Sequence, residues 1–299
     1  MYTTNKYAVS PLFKAYFKEF FWYPIYVTTV YIAYEKFGLE VLDIKMAIAT
    51  VLSFAVSILV GFRTSESYDR WWEARKIWGG IVNDSRSLIR QMIAFTGGVT
   101  ILEETKQLTK YQIAWCYALK NSLRKLDPLS EVHSYLSQEE IALLKTKHNK
   151  PNEILKMMGN LLRSLHEQKK IDSFQMVAMD ETVKHLCDHM GKSERINNTV
   201  FPTQYTTYTH IGIIFFMMML PFGMLSSTGP FVILICLLVS LFFFMLEAIA
   251  FYLQDPFTNR PSDIPMTALC RTIEINLLEM IDAAQVPEPI QPDEKGVLM

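Results

Sequence analysis

The sequence predicts an all-α membrane protein, with four transmembrane helices in each subunit fused to cytoplasmic helices. Half of the 299 residues are hydrophobic and 20% are charged, which is typical of a chain that mixes membrane spans with water-exposed helices. Charged residues recur at helical spacings after the second apolar stretch, as in Glu66 with Arg70 and Glu73 with Lys76. We find no convincing strand pattern, and the sequence has no repeats.

Four apolar stretches are candidate membrane spans, since a bilayer core about 30 Å thick needs roughly 20 apolar residues in a helix. These stretches cover residues 20–36, 46–62, 208–226 and 230–253. The last stretch is the clearest, with Glu247 as its one charged residue. A carboxylate inside a span is costly and usually faces protein or water. Glu247 is either a charge on an ion path or, as we expect, the partner of Arg63 or Arg70 on another helix.

The charges between the spans set the predicted topology. Lys6, Lys14 and Lys18 precede the first span and basic residues follow the second, whereas the connection 226–229 is uncharged. Because cytoplasmic loops carry the excess of Lys and Arg, both termini and the large middle region are predicted to lie in the cytoplasm. We expect a multi-pass protein of the cell's inner (plasma) membrane, in contact with the lipid bilayer.

The water-exposed parts are predicted to be helical. They cover about residues 63–206 and 255–285. Because these parts alternate with the spans along the chain, we expect residues 1–299 to form a single fused unit rather than separable domains. The Pro-rich tail, 286–299, is predicted to be flexible.

Local signals place the helix ends within the middle region. Ser137 and Glu140 have the spacing of a capping box. The run 149–152 breaks the helical pattern before a helix predicted over 153–168. Asp172 can cap a further helix, which runs to about Arg195.

Several classes of function find no support in the sequence. The net charge of −1 gives no reason to expect a nucleic-acid partner. No nucleophile–base set, phosphate-binding loop or complete set of metal ligands is present, so we predict no enzymatic activity, cofactor or metal site. His185 and His189 have the spacing of some zinc-binding pairs, but a full ligand set is missing. We expect these histidines to be solvated or packed.

The second span carries two neighbouring ridges with a period of four residues. The first ridge consists of the small residues Ala49, Ser53, Ser57 and Gly61. The second, offset by one residue, consists of Phe54, Ile58 and Phe62. A small ridge lets another helix approach closely. From pattern alone the bulky ridge more often faces lipid or a protein core, but in a ring of packed copies it would line a pore that gates ions by dewetting.

The run from Gly61 to Trp78, GFRTSESYDRWWEARKIW, resembles the bestrophin family in its bacterial branch. So does the run from Gln254 to Phe257 after the fourth span, and the resemblance extends over about residues 10–284. It implies a homopentameric, all-helical ion channel with one axial pore. Such a pore passes a narrow apolar neck in the membrane and a second constriction in the cytoplasm.

The resemblance also implies roles for particular residues. The neck falls on Phe54, Ile58 and Phe62, the same residues as the bulky ridge, with Ser53 and Ser57 flanking it. The cytoplasmic constriction falls at or near Phe174. The run Arg70, Trp71, Trp72 and Glu73 is expected to form a structural collar rather than a site of chemistry.

Calcium gating is not expected. Animal members of the family bind calcium through an acidic cluster after the fourth span, whereas here only Asp255 and Asp263 are acidic and Arg260 and Pro261 intrude. Calcium takes six to eight oxygen ligands, with several carboxylates among them.

The expected function is passive conduction of monovalent ions. Animal relatives pass chloride and a bacterial relative passes sodium, and we expect sodium and other cations to be favoured over chloride. The alternatives are a non-conducting membrane scaffold and a membrane enzyme.

Overall fold

The computed structural model describes residues 17–97, 102–294 and 296–299, and every regular element in these ranges is helical. The α-helices are α1 Phe17–Phe37, α2 Met46–Phe95, α3 Glu103–Leu123, α4 Gln138–Lys145, α5 Lys150–Glu167, α6 Ser173–Asn198, α7 Thr203–Met219, α8 Leu225–Thr228, α9 Val232–Leu253 and α10 Met266–Met280. Short 3-10 turns cover Glu40–Leu42, Pro221–Gly223 and Gly229–Phe231. The lysines at positions 6 and 14, used above for topology, lie outside the described residues.

The described chain divides into two compact units, and α2 contributes to both. The apolar unit comprises residues 17–71 and 200–255, and the polar unit comprises residues 72–199 and 256–299. The expectation of a single fused unit stays a prediction.

The four predicted spans coincide with α1, the beginning of α2, α7 with the turns after it, and α9. By length and composition, two helical stretches of the described residues are apolar enough to cross a membrane, Met46–Phe95 and Leu225–Leu253. The other two are weaker by this measure: α7 has only 17 residues, and α1 carries Glu35 and Lys36 in its last turn.

Within the apolar unit, two tyrosines of α1 fasten the end of α7. Pro221 has no N–H, so the carbonyl of Met217 lacks the donor that would continue the helix. The buried Tyr23 hydroxyl donates to this carbonyl at 2.9 Å, and the Tyr26 hydroxyl donates to the carbonyl of Met218 at 2.7 Å. A helix end in apolar surroundings is thereby satisfied by side chains from a distant helix.

The start of α2 packs closely on the turn after α7. The Ile44 N–H donates to the Phe222 carbonyl at 3.1 Å. A Cβ at Gly223 would lie 3.1 Å from the Ala49 Cβ, so a larger residue would push α2 away. This contact buries Ala49 to 1% exposure.

The polar unit is built around α3. Every residue from Gln112 to Asn121 is buried, because α5, α6 and α10 all pack against this helix. A helix that is covered on all sides also needs partners for its polar residues. The Tyr117 hydroxyl accordingly donates to Glu274 at 2.6 Å, and Gln112 donates to the Ser85 hydroxyl at 2.7 Å.

Two of the three predicted helix starts in the polar unit are confirmed. The Ser137 hydroxyl accepts from the Glu140 N–H at 3.3 Å while the Glu140 carboxylate accepts from the Ser137 N–H at 2.7 Å. Asp172 and Gln175 form a second reciprocal pair at 2.8 and 2.9 Å. Helix α5 begins at Lys150, earlier than predicted, since Asn149 caps it through a bond from the Asn152 N–H at 3.0 Å.

The tail lacks regular helix, but it has contacts that the expectation of flexibility did not anticipate. The Ala268 N–H donates to the Met299 carbonyl at 2.9 Å, and Arg271 donates to the Glu288 carbonyl at 3.3 Å. Val297 is only 8% exposed. An apolar side chain near the end of the tail gives it a buried anchor on the polar unit.

The Asp172 cap gives a stability prediction. Replacing Asp172 with Ala removes the acceptor for the Gln175 N–H, so we expect a loss of about 1 kcal/mol and a lower melting temperature in detergent. The control is Asp180→Ala, an exposed position inside the same helix, where Ala should be neutral or slightly favourable. Equal melting temperatures for the two variants would contradict the capping role.

Candidate functional site

A stripe of large apolar side chains faces outward from α2 in the apolar unit. Phe54, Ile58 and Phe62 are 69%, 42% and 62% exposed. The other side of the helix is buried in its own chain, with Val56 at 3% and Val60 at 1%. Helix α2 therefore packs one face internally and presents this apolar stripe to lipid, to another subunit or to a pore.

The neighbouring ridge of small residues divides between two environments. Ala49 is buried in its own chain, whereas Ser57 and Gly61 are exposed and Ser53 is half-buried. The Ser53 hydroxyl donates to the Thr50 carbonyl at 2.8 Å and so turns back onto its own helix. The exposed part of the ridge leaves room for a close approach by another helix.

One residue after the stripe, a buried ion pair ties α2 to α9. The Arg63 Nη1 atom lies 3.0 Å from Glu247 Oε1, and both side chains are 2% exposed. This confirms the predicted inter-helix bond and selects Arg63 as the partner. Because the two charges neutralise each other, the pair can be held in apolar surroundings where either charge alone would be costly.

His210 of α7 completes this group, and sequence reasoning did not find it. Its Nδ1 atom lies 3.0 and 3.1 Å from the two Glu247 oxygens. An ionised carboxylate only accepts hydrogen bonds, so this geometry assigns a proton to Nδ1. The one signal in the sequence was a histidine at the start of an otherwise apolar stretch. Glu247 thus links three helices of the apolar unit.

The run predicted as a collar falls at the boundary of the two units. In the apolar unit the rings of Tyr68 and Trp71 stack, with centroids 6.2 Å apart, and Arg70 is half-buried. In the polar unit Trp72 is 45% exposed, and the Glu73 carboxylate accepts from Arg195 at 2.6 Å. The role of this run as a structural collar stays a prediction.

Phe174, the predicted constriction residue, stands at the start of α6. It is 88% exposed, the highest value among the large apolar side chains that the structure describes, and Val177 one turn later is 68% exposed. The Asp172 cap fixes the backbone that carries both. The two side chains thus form a small exposed apolar patch at a capped helix start.

The histidine pair of α6 has local partners. His189 Nε2 lies 3.0 Å from the Asp84 carboxylate, and the exposed His185 lies 3.5 Å from Glu181. A Cβ at Gly80 would lie 2.5 Å from the His189 ring, so this glycine makes room for the histidine. Within the described ranges, no group of three or more His, Cys, Asp or Glu residues could hold a metal.

The segment after α9 uses its buried acid for a turn. Asp263 is fully buried and accepts from the Thr258 hydroxyl at 2.8 Å and from the Arg260 N–H at 3.0 Å. Burial raises the pKa of this carboxyl, although these hydrogen bonds oppose the shift. The Asp263 carboxylate thus accepts hydrogen bonds from donors within its own turn.

Comparison with known proteins decides the family. A family model described as Bacterial/Fungal Bestrophin protein matches residues 17–279. This chain belongs to the bestrophin family. The resemblance of the Gly61 to Trp78 run is therefore confirmed, and membership makes the chain a membrane channel-family protein rather than an enzyme.

Curated relatives and solved structures agree with this assignment. The bestrophin is 31% identical over 257 residues to the voltage-dependent anion channel-forming protein YneE of Escherichia coli K12, covering 84% of this chain and 83% of the relative. It is 32% identical over 231 residues to a voltage-dependent anion channel-forming protein of a Nostoc species, covering 77% and 75%. A crystal structure of a bacterial bestrophin homologue from Klebsiella pneumoniae matches with a TM-score of 0.83 at 28% identity, covering 89% of this chain and 98% of that chain. The predicted all-α membrane fold is confirmed.

The buried ion pair gives the prediction of this section. Replacing Glu247 with Gln leaves the Arg63 charge buried without its counter-charge, so we expect a loss of about 3–5 kcal/mol. Thermal unfolding of the purified protein in detergent measures this loss. Arg63→Met combined with Glu247→Gln should recover part of the stability, because no uncompensated charge then remains. A single variant as stable as the wild type would contradict a structural role for the pair.

Proposed function

We propose that five copies of this bestrophin surround one axial pore, through which monovalent ions pass passively down their electrochemical gradient. The observation that carries the proposal is the outward stripe of Phe54, Ile58 and Phe62 beside an exposed ridge of small residues. The named relatives, described as channel-forming proteins, support it. No energy-coupling cofactor is part of the proposal.

In the pentamer, the stripe forms the neck of the pore. The three residues span eight helical steps, so their rings would make an apolar passage roughly 12 Å long at 1.5 Å per residue. A narrow apolar passage opposes ion entry, because it tends to lose its water when constricted. Ser57 and Gly61 would lie at the contact between adjacent copies of α2, with Ser53 beside them.

A ring of Phe174 side chains, with Val177 one turn further, forms the cytoplasmic constriction. Both apolar side chains are exposed in the single subunit, and in the proposed pentamer they would line the conduit. The collar from Arg70 to Glu73 has a structural role near the end of the neck.

The proposed setting is the inner membrane, with both termini in the cytoplasm. The support is the excess of Arg and Lys after the second span and the uncharged connection 226–229. Monovalent cations are proposed to be favoured over anions, whereas the curated relatives are named as anion channels. Since the neck residues carry no charge, this preference has to arise elsewhere along the conduit.

The neck is tested by shortening its side chains. In planar bilayers, the triple variant Phe54→Ala, Ile58→Ala and Phe62→Ala should conduct several-fold more current than the wild type, because a wider passage stays hydrated. Phe242→Ala is the control, an exposed apolar residue on α9 whose loss should leave the current unchanged. If neither the wild type nor the triple variant passes ions, the proposal of a channel is wrong.

Calcium is expected to have no effect on gating. Asp263 serves its own turn, and carboxylates are few in the segment that follows α9. Single-channel open probability should therefore be the same in micromolar calcium and in chelator. A large, reversible difference between these conditions would contradict the expectation.

A further inference from the structure

Two carboxylates continue the apolar stripe along the same face of α2. Glu66 lies one turn after Phe62, and Asp69 lies seven residues after it, where the helix returns to within about 20° of the same direction. Both side chains are exposed, as are Phe54 and Ile58 earlier on the stripe. All of these residues belong to the apolar unit. The face that begins as an apolar stripe therefore becomes acidic immediately beyond Phe62.

The cations of the same stretch are less exposed than these two carboxylates. Arg63 is 1% exposed and is neutralised by Glu247. Arg70 is half-buried, and its Nε atom is shielded from solvent. Among the residues that the structure describes, no ion pair joins Glu66 or Asp69 to a cation. The exposed charges next to the stripe are therefore the two carboxylates, although the stretch 63–70 contains equal numbers of acidic and basic residues.

We propose that Glu66 and Asp69 set the charge preference of the pore, favouring cations over anions just beyond the neck. This inference rests on the proposed function, because it requires the stripe to line the conduit. The carboxylates act through their electric field rather than as ligands. In a pentamer each position contributes a ring of like charges, and rings of Asp or Glu are a common basis of cation preference in channels. A cleft lined by one sign of charge raises the local concentration of counter-ions about tenfold or more.

Reversal potentials under a NaCl gradient test the inference directly. The wild type should reverse toward the sodium equilibrium potential. The double variant Glu66→Gln and Asp69→Asn should show a sodium-to-chloride permeability ratio at least about threefold lower, since the field that excludes chloride is removed. Glu139→Gln is the matched control, an exposed carboxylate at the start of α4, and it should keep the wild-type ratio.

A second measurement places either a negative or a positive charge at position 69 of the same folded variant. Cys187 is the exposed one of the free cysteines, so Asp69→Cys is placed in a Cys187→Ser background. A negatively charged sulfonatoethyl thiosulfonate should restore the sodium preference, and a positively charged aminoethyl thiosulfonate should shift the reversal potential the opposite way. This comparison does not depend on how well different variants fold.

The outcomes separate this inference from the proposed function. Ion flux with a reversal potential that is unchanged by all these substitutions would overturn the role of Glu66 and Asp69 and leave the channel intact. A wild type that prefers chloride would also overturn it. A wild type that passes no ions would overturn the proposed function and this inference together.

Discussion

The buried pair of Arg63 and Glu247 is the constraint on which the apolar unit depends. A guanidinium in apolar surroundings has to face its counter-charge, so the pair fixes the rotation of α2 about its own axis as well as its contact with α9. Phe62 is the adjacent residue, and with α2 held in this rotation the stripe from Phe54 to Phe62 points away from the chain's own core. His210 adds a third helix to the same carboxylate. The structural pair and the proposed conduit are therefore two consequences of one helix orientation.

The same pair changes the meaning of the charges around it. The stretch from Arg63 to Arg70 contains two cations and two carboxylates, and its sequence alone gives no preference for either sign of ion. Arg63 is buried and Arg70 is half-buried, whereas the carboxylates of Glu66 and Asp69 are exposed. Arg63, the cation that follows the stripe directly in the sequence, thus stabilises the fold, while Glu66 and Asp69 stay exposed. The exposed charge of this stretch therefore cannot be summed from its composition, because Glu247 neutralises Arg63 inside the protein.

Local chemistry explains why much of the helical framework follows from sequence. The capping box of Ser137, the Asp172 cap and the end of α7 before Pro221 each depend on residues within four positions of one another, or on a proline's missing N–H. The family motif from Gly61 to Trp78 is likewise contiguous. The Asn149 cap is equally local, since its side chain accepts from the Asn152 N–H three residues on. The run 149–152 was interpreted only as a break, although it is the start of α5 at Lys150.

The sequence by itself determined that this protein is an all-α bestrophin with an apolar stripe on its second span, because helical periodicity and a contiguous motif are local properties. Only the tertiary structure decided which partners meet. Arg63 and Glu247 are 184 residues apart, Tyr23 and the Met217 carbonyl are 194 apart, and His210 joins the pair from a third helix. The anchoring of the tail by Val297 was also decided at this level. Each follows from the way helices pack, since a buried polar group takes whichever partner that packing brings within hydrogen-bonding distance.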